Sequence, residues 1–178
     1  AERLAAFDAL KVRDTWYTPW GGPPAVRSLA TTDDGWVYAD IHVGSIMRSP
    51  DGGDTWEPVA PKLHVDVHQV ATTPASRLYV YANTADGVWV SRDRGESWLY
   101  RGEGALRGRY GRAIAVHPQD PRALLATVSD GPHGLRKQAD ASDHLGLNES
   151  IQAVCFPAGS ALASSWDREL IGTLGELL

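Results

Sequence analysis

Short apolar and β-branched runs alternate with clusters of Asp, Gly, Ser and Pro along most of this chain. Runs this short, bounded by turn residues, read as strands rather than helices. The pattern also repeats. "AVRSLATTDDGWVYADIHVGSIMRSPDGGDTWEPV" (25–59) lies over "DVHQVATTPASRLYVYANTADGVWVSRDRGESWLY" (66–100), with Ala30-Thr31 matched by Ala71-Thr72. Each copy predicts four strands: an inner strand ending in Ala-Thr-Thr, a Tyr-containing second strand, a third strand ending in Ser, and a short fourth. Weaker copies follow at 112–145 and 150–173, and Asp14-Thr15-Trp16 within 13–19 matches Asp54-Thr55-Trp56. Four-strand repeats of about forty residues are the pattern of β-propeller blades. The expectation is an all-β propeller of four-stranded antiparallel blades, about four in this chain: 25–60, 66–101, 111–147 and 150–178. Residues 13–19 would be an isolated fourth strand completing the last blade, preceded by a lead-in at 1–12. A split ring closed by a homodimer is the rival arrangement.

Between the third and fourth strands stand two related octets, "SPDGGDTW" (49–56) and "SRDRGESW" (91–98). An Asp at the third position can accept backbone N–H bonds across the turn. Gly at the fifth accepts a positive φ, and the closing Trp supplies a large apolar cover. The third copy, "QADASDHL" (138–145), keeps only Asp140 and replaces the Trp with Leu145.

Ser49, Asp51, Gly53, Thr55 and Trp56, and again Ser91, Asp93, Gly95, Ser97 and Trp98, resemble the Asp box, or bacterial neuraminidase repeat. That motif marks the propellers of sialidases, sortilin-type receptors, some glycoside hydrolases and photosystem assembly proteins. The resemblance implies a structural role for the octets, away from the usual ligand face. Sialidases also carry an Arg-Ile-Pro motif and a Tyr–Glu pair; the first does not occur here and the second cannot be assigned.

The composition fits a turn-rich β protein: 18 Gly, 11 Pro and seven Trp in 178 residues. A net charge of −5 with both signs interspersed argues against a general nucleic-acid binder. Cys155 is the single cysteine, which excludes an internal disulfide. No apolar run reaches membrane-spanning length. No cofactor is implied, and the compartment is left open.

In a meander blade, alternate loops emerge on opposite faces. One face collects the octets and first-to-second-strand turns; the other collects the entries to the inner strands and the second-to-third-strand loops. On that second face the first polar residue of each inner strand is Arg27, His68, Arg112 or Gln152. With Arg109 and Tyr110 these would suit an anionic ligand, because guanidinium binds planar anions bidentately. Inter-blade salt bridges and bonds to carbonyls are the alternative use of the same arginines. "HVDVH" places His64, Asp66 and His68 on one side of an extended strand, a candidate metal set. The two imidazoles, four residues apart, would lie about 13 Å apart unless the segment bends. The function expected is a non-catalytic binding or scaffold propeller, taking a protein, glycan or small anionic partner. The alternative is a glycoside hydrolase, or a fragment of a larger propeller enzyme, for which carboxylates such as Asp40 and Asp130, or Glu149 and Glu169 on this face, are candidates.

Overall fold

A computed structural model describes residues 3–102, 108–129 and 131. They are mostly β. Strands β1 (Val26–Thr31), β2 (Val37–Ile41), β3 (Ile46–Ser49) and β4 (Glu57–Pro58) form one antiparallel sheet in meander order. β5 (Val67–Thr73), β6 (Ser76–Thr84), β7 (Gly87–Ser91) and β8 (Leu99–Tyr100) form a second. β9 (Tyr110–Val116) and β10 (Leu124–Ser129) pair as the start of a third. The four-strand reading of 25–59 and 66–100 therefore holds strand by strand. The third octet, the copy at 150–178, Gln152, His133, His144, Cys155, Asp130, Glu149 and Glu169 lie outside the described residues.

The sheets stack face to face, and strand periodicity decides which side chain serves which interface. Val80 and Ala82 point from β6 into a core with Tyr38, Ile46, Val59, Leu63, Val67, Val70 and Trp98. Tyr81, between them in sequence, points the other way and joins Val88, Val90 and Ile114. The second sheet is thus buried on both faces, which is why β6 reads "YVYAN" with no surface alternation.

The two octets fold alike. Ser49 Oγ donates to Asp51 Oδ1 (2.8 Å) and accepts from Gly53 N (2.8 Å); Ser91 repeats both bonds with Asp93 and Gly95 (2.7 Å each). Thr55 N and Ser97 N each donate to their Asp at 2.8 Å. The hydroxyl of Thr55 holds the Asp51 pKa down at about 2. Gly53 and Gly95 sit at φ 111° and 92°, where a side chain would be strained. The closing tryptophans differ: Trp56 Nε1 donates to Gly53 O (2.9 Å), whereas the carbonyl of Gly95 accepts from Ala60 N (3.2 Å) and Trp98 is buried in the core.

Residues 13–19 depart from the expected strand. Ala5–Asp8 is a single α-helical turn (α1), and Lys11–Thr15 forms a 3-10 turn. Only Tyr17 makes a β-bridge, to Val43 of the first sheet. Phe7 meets Trp56 edge-on (centroids 4.9 Å apart) and Trp16 at 5.6 Å. Aromatic burial against the first octet side, rather than strand pairing, holds this segment.

Candidate functional site

The inner strands β1, β5 and β9 each carry a bulge at the same place. Val26 pairs with Ile41 and Ser28 with Asp40, leaving Arg27 over. Val67 pairs with Thr84 and Gln69 with Asn83, leaving His68 over. In β9, Arg112 and Ala113 oppose the single residue Thr127, between the Gly111–Val128 and Ile114–Ala126 pairs. Bulges re-aim a side chain, and here they act on the repeat-equivalent residues singled out from the sequence.

The residue opposite the bulge is polar each time. Asp40 Oδ1 accepts from Arg27 N (3.2 Å) and Ser28 N (2.6 Å). Thr127 Oγ1 accepts from Ala113 N (3.0 Å). Asn83 Nδ2 instead crosses to the next sheet and donates to Ala113 O (2.6 Å). Asp40 is fully buried, and burial raises its pKa against the bonds from Ser28 and the charge of Arg27.

The bulged side chains tie one sheet to the next. Arg27 Nη1 donates to Val67 O (3.3 Å), and His68 Nδ1 bonds Gly111 O. Val67 and Gly111 each precede the bulge residue of the following inner strand. A second tier repeats beside the first: Val70 N donates to Ser28 Oγ, and Ile114 N to Gln69 Oε1, both at 2.9 Å. Arg27 and His68 therefore take up the inter-sheet role that stood as the alternative to ligand binding.

Around this zipper the remaining candidates gather. Asp66 Oδ1 lies 3.5 Å from Arg27 Nη1 and 3.2 Å from His68 Nε2. Burial works to raise the Asp66 pKa, but the hydrogen bond and charge of His68, then Arg27 and His64, outweigh it and leave it lowered. Tyr110 packs on His68 (4.6 Å between centroids), and the Arg112 guanidinium lies over the Tyr110 ring (4.9 Å). Arg109 pairs with Asp86 (2.7 Å) above Tyr100. The metal reading of His64, Asp66 and His68 does not fit this geometry. His64 Nδ1 accepts from Asp66 N (3.1 Å) and both His68 nitrogens are engaged, so the three side chains bond locally instead of converging on an open position. Among the described residues no cluster of three His, Cys, Asp or Glu is arranged for a metal.

Sequence reasoning passed over one group. Trp20 is 75% exposed and meets His42 edge-on at 4.7 Å. His42 in turn feels the charges of Arg27, Asp66 and His68, so it borders the same cluster. The available signal was a Trp set between Pro and Gly-Gly, with no apolar partners in its own loop.

No family model matches the chain. A thermostable beta-glucosidase B from Acetivibrio thermocellus is 49% identical over 51 residues, 29% of this chain and 7% of that protein. An exo-alpha-(1->6)-L-arabinopyranosidase from Bifidobacterium longum is 46% identical over 52 residues, with the same coverage. The chain thus matches only a small part of these relatives' length. Among solved structures, it resembles an ancestral GH74 enzyme (TM-score 0.49, 19% identity, 68% of this chain and 14% of that one). It also resembles YCF48 bound to a D1 peptide (TM-score 0.42, 17% identity, 54% and 31%).

Proposed function

We propose that the chain belongs to a carbohydrate-processing protein, in which the stacked sheets are Asp-box propeller blades serving as a non-catalytic binding module. The observation that carries this reading is the state of the carboxylates on the bulge face among the described residues. Asp40 is sealed at 0% exposure as the bulge cap, Asp66 is held between Arg27 and His68, and Asp86 pairs with Arg109. Glycoside hydrolysis needs two carboxyl groups facing one substrate bond, and these three are engaged in holding the fold. What the face offers a ligand is the exposed guanidinium of Arg109, which also reaches Asp86, and the exposed Arg112 beside Tyr110.

The link to carbohydrate is the short, strong likeness to glycosidases. We infer that it lies after β10. Copies 25–59 and 66–100 repeat one another and fold as sheets, and beyond Ser129 the octet loses its Gly and Trp. On this reading a piece of a glucosidase-type unit follows the blades. The test is retention of the purified chain on immobilised β-glucan and polygalacturonate, with p-nitrophenyl β-glucoside hydrolysis measured in parallel. Retention on either matrix without hydrolysis is expected. Turnover by this chain would defeat the non-catalytic reading, and passage through both matrices would defeat the carbohydrate reading.

A further inference from the structure

Of the exposed large apolar side chains in the described residues, Trp20 is the most exposed, at 75%, although its loop is built firmly. Thr18 Oγ1 donates to Gly22 O (2.7 Å) and accepts from Gly22 N (2.8 Å), and Gly21 N donates to Thr18 O (3.2 Å). Gly21 takes φ 71°, a conformation open to glycine. Pro19, Pro23 and Pro24 restrict the chain on either side. His42, bound through its backbone N–H to Ala25 O (3.0 Å), meets the indole edge-on at 4.7 Å. A flexible loop would let an indole fold back onto the protein; this one holds it out into water.

We propose that Trp20 is a stacking platform for one pyranose ring of a β-linked glucose oligosaccharide, with His42 beside it to bond a hydroxyl. This rests on the carbohydrate reading above and names its ligand subsite. A pyranose with equatorial hydroxyls has a flat C–H face that matches an indole and a rim of hydroxyls that each donate and accept. Burial, then the charges of Arg27 and His68, lowers the His42 pKa, so the ring is neutral at pH 7 and offers one donor and one acceptor. A preorganised aromatic adds little ordering cost on binding.

Isothermal titration of the full chain with cellopentaose, and separately with oligogalacturonate, tests this. Wild type should bind cellopentaose, Trp20→Ala should bind at least tenfold more weakly, and Trp20→Phe should recover part of the loss. Thr18→Val, which removes the loop staple but keeps the indole, should lie between wild type and Trp20→Ala. Melting temperature should hold in all three, since the indole is exposed. Equal cellopentaose binding by wild type and Trp20→Ala overturns the platform and leaves the carbohydrate reading standing. So does binding of oligogalacturonate alone. Binding of neither overturns both.

Discussion

His68→Ala separates a structural tie from a ligand residue. The imidazole is buried, with its side chain 2% exposed. It bonds Gly111 O, faces Asp66 Oδ1 at 3.2 Å, and packs on Tyr110 at 4.6 Å. Truncation removes a net hydrogen bond of about 1 kcal/mol and a ring pair of about 0.5–1.5 kcal/mol. It also strands a carbonyl beside buried Gly111, at about 1–3 kcal/mol if water cannot reach it. Asp66 keeps Arg27 and some solvent exposure, so its loss adds little. The sum is a destabilisation of about 2.5–5.5 kcal/mol. For a chain of this size that is a fall of roughly 5–20 °C in melting temperature, read by circular dichroism. Arg27→Ala removes a more exposed version of the same tie and should cost only about 1 kcal/mol. A shift below about 2 °C for His68→Ala would refute the tie and return His68 to the ligand face.

The closing tryptophans should differ: Trp98→Ala, which empties a core position, should cost about 3–5 kcal/mol in urea unfolding, and half-buried Trp56→Ala about 1–2 kcal/mol. Asp51 and Asp93 have lowered pKa values, so their contribution to stability is present above the unfolded carboxylate value near 4 and is lost as pH falls through their folded values, about 2 for Asp51. The melting-temperature gap between wild type and Asp51→Asn/Asp93→Asn should accordingly narrow from pH 5 to pH 2. Asp40 runs the opposite way: its raised pKa means stability falls as pH rises through its titration. Asp40→Asn keeps an acceptor for Arg27 N and Ser28 N, as Asn83 occupies the matching place, and should equal or exceed wild type at pH 7. A loss above about 1 kcal/mol in urea unfolding at pH 7 would contradict that.

Strands and octets were legible because each is a local pattern: β-branched runs bounded by turns, and an Asp whose partners lie within four residues. The repeat also aligned Arg27, His68 and Arg112, and all three stand at equivalent bulges. Their use was not legible, because it depends on the bulge. One extra residue re-aims the Arg27 and His68 side chains toward the next inner strand's carbonyl, and nothing in "VRS" or "VHQ" records that displacement. Residues 13–19 misled for the opposite reason. Asp14-Thr15-Trp16 copies a fragment of the octet, but without the preceding Ser and Gly there is no staple, and Trp16 packs on Phe7 instead. Trp20 escaped notice because it belongs to no repeat.

That last point bears on how such a module acquires specificity. The bulge residues lie where a ligand face is expected, yet two repeat-encoded tiers of bonds commit them to holding successive inner strands together. A side chain required at every interface has little freedom to vary with a ligand. Specificity then falls to segments that decorate the repeat without belonging to it, which are free to change while the zipper stays intact. The stapled turn carrying Trp20 is such a segment. Its Trp20 meets His42, so on the proposed reading replacing the turn should alter what binds while the sheets beneath keep their register.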